Sequence, residues 1–223
     1  GILFADDFFA RNFEDIYYLS RIKDRFIVVT GCTQPPRTSC FCTSAKTGPF
    51  AEKGYDLQLI AAKDSYLVET GSPKGEEFIT RYKKYFLDSP ADAKDLIRRT
   101  KAEACEAVEL KVDFDQALEL MKKDTFIPEE NYKRIGERCI YCGACLYVCP
   151  TCTCFNVFDM VKEKTGTRYR NWDGCVFEGY TREASGHNPR KAKWLRTSRR
   201  YEHKLKYDYK TTGTSGCVGC GRC

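Results

Sequence analysis

The chain of 223 residues is long enough for one large or two small domains with a true core, and 42% hydrophobic with 30% charged residues is an ordinary globular composition. The formal charge of +6 is moderate, and the longest apolar runs, such as FIVV at 26–29, are far too short to span a bilayer. No basic-then-apolar signal segment opens the chain, so neither an export signal nor a membrane span is expected.

Residues 1–86 read as a small mixed α/β domain. FIVVTG (26–31), DLQLIAA (56–62) and SYLVET (65–70) are short β-rich runs bounded by turn formers, and the Lys63-Asp64 step between the last two predicts a hairpin with a two-residue turn. The VETGSPKGE stretch lacks P-loop spacing and is expected to be a plain turn. Residues 87–128 read as a helical connector. Ser89 with Asp92 resembles a capping box, and Pro90 suits a first helical turn. Ile97, Ala104, Cys105 and Val108 then keep one face, which predicts Cys105 as a buried small hydrophobe. A second helix is expected from Asp113, with Phe114, Ala117, Leu118 and Met121 inward, and a third near Pro128. From 129 to 223 the strand signal nearly disappears, so the C-terminal domain is expected to be mainly helical. The fold class is therefore α+β.

Cysteine is the compositional outlier, with 14 residues. Secreted disulfide scaffolds are usually short and core-poor, whereas tight CxxC spacing in a chain with a core argues for metal ligation in a reducing, cytoplasmic compartment. CIYCGACLYVCP places Cys139, Cys142, Cys145 and Cys149 ahead of Pro150, the CxxCxxCxxxCP spacing of a [4Fe–4S] ferredoxin motif. Thiolates two residues apart can wrap three corners of a cuboidal cluster, and small residues such as Gly143 let the backbone approach it. Structural zinc also takes four cysteines but usually uses paired CxxC units. GCVGCGRC repeats the first half of the motif with Cys217, Cys220 and Cys223, and Gly219 lies between two of them. In two-cluster ferredoxins the fourth cysteine of each motif serves the other cluster, which assigns Cys149 to the C-terminal set. The cluster on Cys139, Cys142 and Cys145 then lacks a donor. A cysteine a few residues past Cys223 is expected to supply it, with Cys152, Cys154 and Cys175 as rivals. This unfinished motif and the start at Gly1 lead us to expect missing residues at both ends.

With CPTCTCFNVFD (149–159), RNWDGCVFEGYT (170–181), SGHNPR (185–190), the basic helix ending in HKLKY, and GCVGCGRC, the chain resembles two related groups of ferredoxin-type proteins: the beta subunits of soluble sulfhydrogenases and the iron–sulfur subunits of anaerobic sulfite reductases. GYDLQL, CFCTS and VETGSPKGE extend the resemblance to nearly the whole chain, more loosely. It implies a helical dicluster ferredoxin domain and an electron-transfer role within an anaerobic oxidoreductase complex. Its partners would be a flavin-bearing (FAD) subunit linked to NAD(P)H, and a catalytic hydrogenase or sulfite/sulfur reductase subunit. Cys32, Cys40 and Cys42 could hold three corners of a third cluster, with a fourth cysteine upstream of Gly1, or could be ordinary thiols.

Residues 181–210 carry ten Lys/Arg against three Asp/Glu, interleaved with aromatics. This pattern can track nucleic acid or form a solvated helix face, but beside anionic clusters it favours cluster-facing or docking roles for Arg190, Arg196 and Arg200. No nucleic-acid partner is expected on this reading. No nucleophile–base pair, GxGxxG or P-loop is present, so no catalytic residue is assigned. The alternative function is a flavin- or substrate-binding oxidoreductase subunit whose N-terminal domain carries its own cluster.

Overall fold

The computed structural model describes residues 1–123 and 127–223 and divides the chain into two compact units. One comprises residues 6–114 and 218–223 with Ile2; the other comprises residues 115–217 with Gly1 and residues 3–5. The expected connector, 87–128, runs across 124–126, which lie outside the described residues.

In the first unit, helices α1 (Ile2–Ala10) and α2 (Ile16–Ile22) are joined by Asp15, whose carboxylate accepts from the amides of Tyr17 and Tyr18 and caps α2. Phe9 stacks on Tyr18 with ring centroids 4.5 Å apart, and Asp6 accepts from the Tyr18 hydroxyl at 2.8 Å and from Arg25 at 2.6 Å. All three expected strands form: β1 (Val28–Thr30), β2 (Leu57–Ala62) and β3 (Ser65–Thr70). β2 and β3 make the antiparallel hairpin around Lys63-Asp64, while β1 lies parallel to β2 with Val28 opposite Leu57. Leu57 and Ile60 are buried on opposite faces of β2, and the fully buried Gln58, on the Ile60 face, is satisfied by the Ala51 backbone and Glu69.

GSPKGE is the start of a helix, not the plain turn expected. Ser72 caps α3 (Pro73–Arg81) by accepting from the Gly75 amide, and Pro73 occupies the first turn, where no donor is needed. Gly75 is required by packing, since a Cβ there would lie 2.1 Å from the Asp56 carbonyl oxygen. Helix α4 (Ala93–Glu106) begins after a turn in which the Ala93 amide donates to the Pro90 carbonyl, so Ser89 does not cap it. Its buried line runs through Ala93 and Ala104 towards Val108, and Cys105, one residue further round, is exposed instead of buried. Helix α5 (Phe114–Lys122), which apart from Phe114 belongs to the second unit, buries Phe114, Leu118 and Met121, three of the four residues assigned to its inner face.

In the second unit, α6 (Glu129–Arg138) follows Pro128 and packs against α8 (Lys193–Glu202). Gly136 eases the approach, because a Cβ there would make a tight contact, 3.3 Å from the Trp194 Cα. Between them come the single turn α7 (Ala144–Tyr147) and a two-stranded hairpin, β4 (Phe155–Lys162) with β5 (Thr165–Trp172). The sequence carries little sign of this hairpin because every residue of both strands is exposed, so no apolar alternation marks a buried face. Its turn, at Glu163-Lys164, lacks the usual Asn-Gly signal, with Glu163 itself at φ +54°. Cross-strand pairs hold it: Phe158 stacks on Tyr169, and Arg168 grips Asp159 through two hydrogen bonds of 2.8 and 2.9 Å. After α8 the chain passes through a π-helical turn (His203–Tyr207) into α9 (Asp208–Thr212). Among the described residues no helix is long and apolar enough to cross a membrane.

Candidate metal centre

The ferredoxin-spaced segment begins where α6 stops. Cys139 is already extended, and the Tyr141 amide turns back towards the Cys139 sulfur at 3.4 Å. Two left-handed residues, Tyr141 (φ +57°) and Gly143 (φ +75°), then fold Cys142 into a tight loop. A Cβ on Gly143 would lie 2.2 Å from the Phe177 ring, so the loop needs glycine for both conformation and space. Helix α7 carries Cys145, and the Cys149 amide donates to Leu146, setting the last thiol one turn further on. The loop is held from behind by the Tyr141 hydroxyl, which donates to the Lys193 carbonyl and contacts Thr197, each at 2.8 Å.

Behind Cys149 lies a buried polar network. Its sulfur is 3.2 Å from the Thr151 hydroxyl, which donates to the Gly216 carbonyl at 2.5 Å. Thr151 thereby ties the Cys149 loop to the residue preceding Cys217. The Lys204 ammonium donates to the Thr151 carbonyl at 2.6 Å and hydroxyl at 2.8 Å, and Asp208 sits 3.7 Å from it. The Cys149 thiol is drawn down to about 4 by its hydrogen bond with Cys152, and further by Lys204 and Thr151 against the opposing effect of burial. The same bond, with burial, pushes Cys152 up.

The three cysteines set apart as rival donors are not scattered. Cys152 lies beside Cys149 and 3.5 Å from an Arg200 nitrogen, and Arg200 also donates to the Cys145 carbonyl at 3.0 Å. Cys175 is buried in a small core with Leu146 and Val176, against which Cys145 and Cys152 pack. Burial, and then the neighbouring Cys154, raises the Cys175 thiol. Of the arginines singled out, Arg200 touches a cysteine sulfur. Arg196 donates to the carbonyls of Arg190 and Lys191 at 2.8 and 2.7 Å and covers the Tyr141 ring, while half-buried Arg190 donates its backbone amide to Asn188. Thr151, Lys204 and Asp208 escaped the sequence reading because nothing in their local sequence marks a buried polar residue.

The cysteines of the other unit form a second group. Buried Cys40 directs its thiol to the Cys220 carbonyl at 3.9 Å, while Cys32 is exposed and anchored by its amide to Pro49. Burial, then the charges of Cys40 and Cys32, raises the Cys42 thiol. The C-terminal segment lies on this loop: the Phe41 amide donates to Gly219 at 2.8 Å, Thr47 to Val218 at 2.8 Å and Ser39 to Gly221 at 3.1 Å. Gly219 (φ +61°) leaves no room for a side chain, because a Cβ would fall 2.6 Å from the Cys42 Cα. Arg222 bonds to Cys220, which raises its pKa, with Cys40 and Cys32 adding to the effect. Cys220 and Cys223 group with this unit and Cys217 with the other. Among the described residues no three Cys, His, Asp or Glu side chains converge on the position of a single metal ion. The donor set is thiols on glycine-bearing loops with an amide turned towards sulfur, chemistry that fits an iron–sulfur cluster.

Residues 138–223 match the model of the 4Fe-4S dicluster domain, so the chain is an iron–sulfur protein of the ferredoxin class. Over its full length it is 33% identical, across 224 residues, to sulfhydrogenase 2 subunit beta of Pyrococcus furiosus. The chain spans 65% of that relative's length. No solved structure matches the chain.

Proposed function

We propose that this chain is the iron–sulfur electron-transfer subunit of a multisubunit oxidoreductase of the sulfhydrogenase type. It would relay single electrons from a flavin-bearing subunit linked to NAD(P)H, or back to it, and exchange them with a catalytic hydrogenase or sulfur/sulfite reductase subunit. The observation that carries this reading is the Cys139–Cys149 loop, whose ferredoxin spacing is accompanied by the left-handed residues and the Tyr141 N–H···S contact that a cluster-binding loop uses. A [4Fe–4S] cluster, when bound, takes up and returns one electron. The chain's own contribution is to hold the thiolates, exclude water with Leu146, Val176 and Phe177, and set the local charge.

One cluster is assigned to Cys139, Cys142 and Cys145. By motif spacing, a second is assigned to Cys149 with Cys217, Cys220 and Cys223, and a third would use Cys32, Cys40 and Cys42. Anaerobic purification of the complex with iron and sulfide analysis tests the assignment. About eight to twelve irons per chain are expected, and Cys142→Ser should remove about four. A colourless chain holding only zinc overturns the proposal.

A further inference from the structure

We infer that Lys204 is a positioning residue that sets the reduction potential of the cluster ligated by Cys149, by holding a buried positive charge at a fixed place behind that ligand. The inference rests on the iron–sulfur reading above and adds a residue that neither motif spacing nor the likeness to relatives assigns.

A lysine is rarely buried unless its charge is compensated, and Lys204 is only 8% exposed. The π-helical turn sets Lys204 and Asp208 on one side of the helix, and the Thr151 carbonyl and hydroxyl complete the ammonium's shell. The Thr151 hydroxyl lies 2.8 Å from the ammonium and 3.2 Å from the Cys149 sulfur. Nitrogen and sulfur are therefore within about 6 Å, a range over which one charge is felt strongly by another in a buried setting. The ammonium donates to the residue behind the ligand and not to the sulfur itself, which leaves the thiolate available to iron. Further backbone contacts fix the assembly: the Gly216 amide and the Ser215 hydroxyl both donate to the Lys204 carbonyl, at 2.9 and 3.1 Å. A Cβ on Gly216 would lie 1.8 Å from an Asp208 carboxylate oxygen, so a side chain there would displace that carboxylate. A cluster gaining one electron becomes more negative, so a fixed cation nearby stabilises the reduced form and raises the potential. The Asp208 carboxylate opposes that effect.

The test is a potentiometric titration of the intact complex, with dithionite as the electron donor and EPR as the readout, together with iron analysis. Lys204→Gln keeps hydrogen-bond donors for Thr151 and removes the charge. It should shift the oxidised-to-reduced ratio of one cluster about tenfold towards oxidised at fixed potential, equal to 59 mV downward for one electron. Asp208→Asn should move the same cluster upward, and this isosteric change carries the test if Lys204→Gln does not load its clusters. A merely structural role would not give opposite signs. Unchanged potentials in iron-replete variants, or shifts of the same sign in both, overturn the inference. A parent complex with no reducible iron–sulfur signal overturns the electron-transfer reading itself.

Discussion

Gly219→Ala tests whether the C-terminal segment rests on the Cys40–Cys42 loop. The substitution meets two separate costs. Gly219 has φ +61°, and a left-handed alanine costs about 1–2 kcal/mol. Its Cβ would also lie 2.6 Å from the Cys42 Cα, 2.7 Å from the Cys42 nitrogen and 2.8 Å from the Phe41 carbonyl carbon, all backbone atoms that cannot swing aside. Such overpacking adds about 1–3 kcal/mol. Gly213→Ala is the matched control, because Gly213 has φ +72° but nothing within 4 Å of its Cβ position. The local reporter is the Phe41 amide, which donates to the Gly219 carbonyl at 2.8 Å. Hydrogen exchange read by mass spectrometry should show its protection falling roughly ten- to a hundredfold in Gly219→Ala, the equivalent of about 1.4–3 kcal/mol. Gly213→Ala should leave it unchanged. A Phe41 amide that exchanges within about twofold of the parent in Gly219→Ala would refute the close approach.

Thr151→Val preserves shape but leaves the Gly216 carbonyl and the Lys204 ammonium each short of a buried partner, so stability should fall by about 1–3 kcal/mol. The denaturant midpoint reads this, and an unchanged midpoint would argue against the network. The hydrogen bond from Arg25 holds the Asp6 carboxyl below its ordinary 3.8 in the folded protein. The stabilisation is therefore complete above that value and is lost as pH falls through the folded pKa. Asp6→Asn should lower stability near neutral pH and converge with the parent in acid, whereas curves that stay parallel at every pH would remove Asp6 from the account. Exposed Cys105 should react with a maleimide under native conditions well before buried Cys175, as peptide mapping can determine. Equal rates would contradict the helix phase assigned to α4.

What could be read from sequence depended on which physical signal each region carries. The three N-terminal strands were legible because β-branched runs between turn residues specify a half-buried sheet. α5 was legible because Phe114, Leu118 and Met121 recur at helical spacing. Cys105 was misplaced by a single residue, and on a helix one residue is about a quarter turn, enough to move a side chain from core to solvent. The GSPKGE start of α3 is ambiguous in sequence, because Ser72 and Pro73 begin helices and turns alike and the two flanking glycines favour a turn. The hairpin over 155–172 could not be found by periodicity at all, since neither of its faces is buried. At the metal centre, the spacing of Cys139–Cys149 was a covalent pattern and could be read directly. The network behind Cys149 joins residues from 149 to 216, and such long-range pairing leaves no local mark.

The basic segment shows most clearly how composition can mislead. Ten cations in thirty residues suggest a surface, yet Arg196, Arg200 and Lys204 are all buried, each four residues after the last, with Asp208 four further on. Four-residue spacing stacks side chains on one helical face, so the buried face of this helix is its charged one. Burying an unpaired charge costs several kcal/mol, and each of these cations is met by specific partners. Arg196 takes two backbone carbonyls, Arg200 the Cys145 carbonyl and the Cys152 sulfur, and Lys204 takes Thr151 and Asp208. Packing these positions with leucine would stabilise such a helix more simply, so stability alone does not account for the stripe. Two of its three cations end on a cysteine or on a residue touching one. A helix that turns its cations inward in this way is suited to answering negative charge on sulfur, and while buried those cations are withheld from a polyanion in solution.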